Sequence, residues 1–316
     1  MSIPAPNRHP RRPLAALAAL LLALAAAGCA RPAPMPAEPP RADGGRALAE
    51  AEAFLAIGPR PAGSAGAARA AAWLEQRCRD LGAEVRTDTW QEATPAGRTT
   101  FRNVIATLPG RDRKSRILLG SHYDSKRLWD APGFVGANDS GSSTGLLLEL
   151  IRVLAASRPQ PGPTLEFAFF DGEECHTAYG PGDGLHGSRR LAGQLAASGS
   201  AKQYRAMILL DMVGDRDLTL TLPTDTHPGL ARRTLRLAAA QGVARQVGFA
   251  NGPILDDHVP FQELGIPAID FIDFEYGPGN RHWHTAEDTP DKLAAASLGT
   301  VGNLVLALLH DLRQTP

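Results

Sequence analysis

The stretch LEFAFFDGEE, Leu165 to Glu174, decides the fold. Phe167-Ala168-Phe169-Phe170 is continuously apolar, without the alternation of a strand that wets one face. Such a run belongs to a central strand covered on both sides, as in an α/β sheet. It stops abruptly at Asp171-Gly172-Glu173-Glu174. Adjacent carboxylates at a buried strand end lose their hydration, and nothing nearby in the chain compensates them.

The same grammar recurs on either side. Ile117-Leu118-Leu119-Gly120-Ser121 runs into His122, and Ile208-Leu209-Leu210 runs into Asp211. Strand patterns fall at 84–89, 102–108, 116–121, 165–170, 206–210 and 268–272. Helical patterns fall at 47–55, 65–81 (closed by Gly82), 144–154, 188–197, 228–240 and 294–312. Strands alternating with helices predict a three-layer α/β/α sandwich around a central mixed, mostly parallel sheet. Ligands bind at the carboxyl ends of strands in such sheets.

Those ends carry the chemistry. Zinc takes imidazole nitrogens and carboxylate oxygens, and a catalytic site keeps one position open. Asp139, Glu174 and His284 would supply three ligands. Glu173, next in the chain to a ligand but facing another way, would carry protons. His122 and Asp211 could hold a second metal or orient the first. Singly, each has an ordinary reading, since an Asp at a strand end caps a turn and a lone His packs structurally. Their repetition after apolar runs is much harder to explain by capping. Cys175 follows Glu174 and reads as a buried packing residue rather than a ligand; Cys78 lies on the apolar stripe of a helix. A Cys78–Cys175 disulfide is the one pairing open to them in an exported protein.

The chain has 316 residues with 33 basic and 33 acidic side chains. Arg8, Arg11 and Arg12 precede a Leu/Ala-only stretch of 14 residues, and Ala26-Ala27-Gly28 precedes Cys29. That is the grammar of a secretory signal over residues 1–28, and a Cys after small residues fits a bacterial lipoprotein anchored through Cys29. Fourteen apolar residues fall short of the ~20 that span a bilayer. Without residues 1–28 the chain keeps 30 basic and 33 acidic groups, and nothing suggests a nucleic-acid surface. Residues 29–45, rich in Pro, Ala and Gly, read as a tether, and 46–316 as one catalytic domain in the periplasm or outside the cell. The chain is expected to act as a monomer that meets a membrane only through its lipid.

The runs His122-Tyr123-Asp124-Ser125-Lys126, Phe134-Val135-Gly136-Ala137-Asn138-Asp139-Ser140 and Phe169-Phe170-Asp171-Gly172-Glu173-Glu174 resemble the glutaminyl-peptide cyclotransferases, which are built on the zinc aminopeptidase (peptidase family M28) fold. The resemblance continues through Gly187-Ser188-Arg189, Asp256-Asp257-His258-Val259-Pro260-Phe261 and Trp283-His284-Thr285, and covers essentially 55–312. It implies one zinc on Asp139, Glu174 and His284, with Glu173 as general acid/base. It also implies a hydrogen-bonded carboxylate network of Asp211 and Asp256, and a pocket walled by Trp283 and Tyr179. The implied substrates are peptide or protein N-termini carrying Gln. Ser140 after Asp139, the spacing from Glu174 to Gly187 and Trp283 before His284 favour the cyclase branch. The alternatives are an exported aminopeptidase with two zinc ions and a lipid-anchored binding protein on an inactive fold. Tyr179 stands where cyclases commonly carry a second Trp, Asp270 where they often carry a His, and the loop 274–282 departs in detail.

Overall fold

The computed structural model describes residues 1–2, 40–157 and 160–314. The signal segment, Cys29 and most of the tether lie outside the described residues. Helix α1 (Gly44–Leu55) begins where the Asp43 carboxylate accepts from the N–H groups of Gly45 and Arg46, so the last two residues assigned to the tether belong to its first turn. Helix α2 (Ala65–Asp80) is capped by Ser64 and stopped by Gly82, whose φ of 89° is open only to a residue without a Cβ.

Eight strands follow: β1 (Glu84–Thr94), β2 (Gly97–Leu108), β3 (Gly110–His122), β4 (Gln160–Phe170), β5 (Tyr204–Asp211), β6 (Leu220–Leu222), β7 (Val247–Phe249) and β8 (Ala268–Ile272). They form one sheet in the order β1-β2-β4-β3-β5-β8-β6-β7. The centre, β4-β3-β5-β8, is parallel; β1, β2 and β6 add antiparallel pairings. The mixed, mostly parallel sheet is therefore as expected. The expected strands are present: β8 has the expected bounds, β1 runs on to Thr94 to pair with β2, and β2, β3, β4 and β5 begin earlier than their apolar runs because polar residues and glycines there also join the ladder. The three-residue strands β6 and β7 are additions.

Alternation within the central strands divides the core. Ile117 and Leu119, Phe167 and Phe169, and Ile208 and Leu210 face one side, under α1, α2, α3 (Ser143–Ala155), α5 (Pro228–Ala240) and α7 (Ala295–Gln314). Leu118, Ala168, Phe170, Met207 and Leu209 face the other, under α4 (His186–Ser198) and the short α6 (Val259–Gln262). Both faces are apolar, which is why these strands read as continuous runs. Helix α7 is long and apolar enough to cross a bilayer by composition, but Leu298, Leu304 and Leu308 are buried in this core.

One buried cation ties the amino-terminal helices to the active end of the sheet. Arg60 is 0% exposed, and burial lowers its pKa to about 10. Its guanidinium donates to the carbonyls of Tyr123, Gly58 and Val135 and lies 4.3 Å from the centre of the Phe54 ring. It thereby holds the loop that follows His122. Arg60→Met keeps the length but strands three carbonyls, two of them on that loop. A loss of about 3 kcal/mol is expected, read as a lower urea midpoint at unchanged m-value.

Candidate metal centre and active site

His122 and Asp211 are the last residues of β3 and β5, so strand geometry alone sets them side by side. Asp139 comes from the turn before α3, Glu173 and Glu174 from the turn after β4, and His284 from the loop beyond β8. Gly172 makes the turn after β4. Its φ is 73°, and a Cβ there would sit 2.4 Å from the Phe101 ring, so only glycine fits.

The side chains converge. His284 Nε2 lies 3.1 Å from Asp139 Oδ2 and 3.1 Å from Glu174 Oε1. His122 Nε2 lies 3.1 Å from Asp139 Oδ1 and 3.4 Å from Asp211 Oδ1. Asp139 thus turns one oxygen to each imidazole. Two ligand groups result, Asp139–Glu174–His284 and His122–Asp139–Asp211, each with its donor atoms within 4.8 Å of one another. Glu174 Oε2 and Asp211 Oδ1 are buried and accept no well-aligned hydrogen bond, their nearest cationic neighbours being Lys126 Nζ at 3.2 Å and His122 Nε2 at 3.4 Å. Imidazole and carboxylate ligands at this spacing suit a divalent cation. Burial opposes protonation of His284, but its bonds to Asp139 and Glu174 prevail and hold its pKa up at about 10. Burial likewise opposes ionisation of Asp139, yet the bonds to His122 and His284 hold its carboxyl well below the usual range.

Glu173 behaves oppositely. Burial, reinforced by the negative charges of Glu174, Asp256 and Asp257, pushes its carboxyl well up. Tyr179 donates its hydroxyl to Glu173 Oε1 at 2.9 Å. Sequence reasoning placed Tyr179 in the pocket wall, but this bond to the acid had no signal in the chain. Lys126 is 3.2 Å from Glu174 Oε2 and 3.3 Å from the Cys175 thiol. Cys175 joins neither ligand group, and Cys78 and Cys175 are both free thiols, so the disulfide is absent.

The acids Asp211, Asp256 and Asp270 interact at the ends of the strands. Asp211 points to His122, and its charge acts on both Asp256 and Asp270. Asp256 and Asp270 are both buried; burial first, then the charges of Asp211 and Asp257 on Asp256 and of Asp256 and Asp211 on Asp270, push both carboxyls well up. Neither oxygen of Asp270 has a hydrogen-bond partner among the described residues. Beside them is His258, its Nδ1 3.8 Å from Asp270 Oδ2, with a pKa that burial lowers to about 4. An acid at 270 is therefore accommodated by keeping a proton.

Two further acids hold the ligand loops, and sequence reasoning gave neither a role. The Asp124 carboxylate accepts from the N–H groups of Glu173 and Glu174, at 3.1 and 3.3 Å, and is 3.5 Å from His122 Nδ1. Asp288 accepts from Asn138 at 2.7 Å, Asp139 at 3.3 Å and the Tyr276 hydroxyl at 2.7 Å. The spacing His122-x-Asp124 at a strand end was the available signal for the first; the second had none. Strain collects here too. Met212, directly after Asp211, and His284 have φ of 46° and 53°, a conformation that costs about 1–3 kcal/mol for such residues.

The cluster opens into a cavity of about 760 Å³ whose walls include Glu173, Tyr179, Asp211, Asp256, Trp283 and His284. The Trp283 ring stacks on His284 at 4.2 Å, with Phe274 edge-on at 5.2 Å. Trp129 is exposed, Trp90 stacks on Phe101 and Trp73 packs at a tilt against Phe54, so none of these three belongs to the site.

Known proteins share this arrangement. The model of peptidase family M28 matches residues 103–309. Glutaminyl-peptide cyclotransferase of Bos taurus is 32% identical over 290 residues, covering 78% of this chain and 78% of the bovine protein. The crystal structure of an Acidobacteriales bacterium glutaminyl cyclase has a TM-score of 0.83 and 35% identity, over 90% of this chain and 99% of that one. A Zn-dependent exopeptidase from Parabacteroides distasonis has a TM-score of 0.75 at 26% identity, over 84% and 97%. The fold thus houses both activities, while the higher identities lie on one side: the chain belongs to peptidase family M28 and, within it, to the glutaminyl-peptide cyclotransferases.

Proposed function

We propose that this protein converts the N-terminal Gln of peptides and proteins to pyroglutamate with release of ammonia. One observation carries the reading: a buried Glu173 stands beside the Asp139–Glu174–His284 cluster at the end of a cavity walled by Trp283. The cyclases at 32% and 35% identity support it. Asp139, Glu174 and His284 would hold one zinc ion, which when bound supplies Lewis-acid polarisation of the γ-carbonyl.

The chain's own residues supply the rest. Trp283 and Tyr179 bracket the glutamine side chain. The attacking amine and the γ-carbonyl belong to one residue, so orientation is all the pocket must add. Glu173 takes the proton from the α-amine as the new C–N bond forms, then returns it to the departing nitrogen, which leaves as ammonia. Its raised pKa brings it closer to the groups it exchanges protons with. The Tyr179 hydroxyl occupies Oε1 and leaves Oε2 for that exchange. Asp256, kept protonated by burial and by the charges of Asp211 and Asp257, adds no second negative charge beside Glu173. We place residues 46–316 outside the cytoplasm, tethered through a lipid on Cys29. The three Arg, the Leu/Ala stretch and the small residues before Cys29 support this.

A second reading rests on the two oxygens of Asp139, each facing a different imidazole, which suits an aminopeptidase with two ions. Ammonia release from Gln-peptides, set against amine release from a leucine anilide, separates the two. Metal analysis should return one zinc per chain for the cyclase and two for the peptidase.

Two substitutions test the roles. Glu173→Gln should keep the metal content and lower kcat at least 10²-fold, in the range general acid–base catalysis supplies; full activity would remove Glu173 from the mechanism. Asp270→Asn keeps the size of the side chain without an ionisable proton. The Asp270 carboxyl is raised in the fold, so folded protein binds a proton that the unfolded chain releases above its ordinary pKa near 3.9. Wild-type stability must therefore decline relative to the variant as pH rises from about 4. Thermal melts from pH 4 to 9 should show the Asn variant gaining steadily, with activity retained.

A further inference from the structure

The register of the sheet lays out a row that leads away from the reaction centre. Asp211 pairs with Ile272, Ile272 with Thr221, and Thr221 with Gly248. Paired residues share a face, and this is the face opposite Leu210, Phe271, Leu220 and Val247, which lie under the helices. All four members of the row line the 760 Å³ cavity. Three strand spacings of ~4.8 Å put its far end about 14 Å from Asp211, the length of about four extended residues. The floor is low there: a Cβ at Gly248 would meet nothing within 4 Å. Ile254, the half-exposed Leu255 (51%) and Phe274 give the walls apolar surface, interrupted by Gln246 and Asn251. Arg245 and Glu275 stand in the same lining as the acids of the reaction centre, Asp139, Glu173, Asp211 and Asp256, so the cavity as a whole favours no acidic chain.

We propose that this groove, continuous with the reaction centre, binds the three residues after the N-terminal one and selects peptides in which they are apolar. It rests on the cyclase reading for the identity of the first residue only. A single glutamine fills one end of the cavity, and the remaining row is open, apolar and of peptide length.

The test compares glutamine amide with the amides of Gln-Leu-Phe-Ala and Gln-Asp-Glu-Ala, on wild type and Gly248→Leu. The wild type should favour the apolar over the acidic tetrapeptide by about tenfold in kcat/KM, the scale for burying one large apolar side chain. In Gly248→Leu the new side chain fills the groove, so the ratio of kcat/KM for Gln-Leu-Phe-Ala amide to glutamine amide should fall about tenfold. Leu255→Asp should lower the same ratio from the other wall. Unchanged ratios in both variants, or no preference in the wild type, would overturn the groove. The same tetrapeptides, dye-labelled at the carboxyl end, are titrated by fluorescence anisotropy. If the wild type releases no ammonia from any substrate, the reaction is wrong, and this binding decides alone: weaker binding of the apolar peptide to Gly248→Leu upholds the groove, and equal binding sinks it.

Discussion

The mouth of the sheet depends on the cost of gathering negative charge away from water. Asp139, Glu173, Glu174, Asp211, Asp256, Asp257 and Asp270 are each under a tenth exposed and crowd the same end of the strands. Lys126, His122 and His284 are the cationic groups in contact with them. Such an arrangement resolves in three ways: an acid finds a cation, keeps a proton, or accepts hydrogen bonds. Asp139 does the first, through two imidazoles. Asp256 and Asp270 do the second. Asp124 and Asp288 do the third. The division of labour among chemically similar side chains follows from which remedy each position can reach.

The third remedy also builds the scaffold. The ligands Glu174 and Asp139 sit on irregular turns, where backbone amides have no ladder to join. Asp124 satisfies the amides beneath Glu173 and Glu174, and Asp288 those beneath Asn138 and Asp139. Asp183 repeats the device, collecting the N–H groups of His176, Thr177 and Ala178 just before and at the approach to Tyr179. Each turn is therefore clamped by an anion that does not itself reach the ligand position. Removing solvent from the loops is then affordable, because their polar groups are already matched.

Much of this was legible in the chain because burial on both faces leaves a plain signal. The continuous runs of β3, β4 and β5 mark the central strands, and the polar residues at or just after their ends, His122, Glu173-Glu174 and Asp211, mark the site. Asp139 and His284 were reached by the same logic together with the family resemblance. The strands β6 and β7 escaped because three residues cannot establish a period. Asp288 escaped because an acid 149 positions from the amide it serves carries no local pattern. The part of Asp270 beside Asp211 and Asp256 escaped for a similar reason: neighbouring strands bring several acids within reach, and only the direction of each side chain selects the partners. Tyr179 was placed as a wall, since its aromatic ring is visible in the sequence and the aim of its hydroxyl is not.

The two borders of the sheet differ in a way that bears on how the molecule behaves in a crowd. On one side β7 is three residues long and offers a neighbour almost no backbone to zip onto. On the other, β1 runs for 11 residues, but Glu84, Arg86, Asp88 and Glu92 punctuate it, with Asp88 engaged by Arg190 and Gln194. A stranger's strand approaching that border would have to dehydrate charge along its length. Brevity on one side and charge on the other discourage the open-ended stacking to which unpaired strands are prone, so a sheet of this size can be concentrated without seeding fibres.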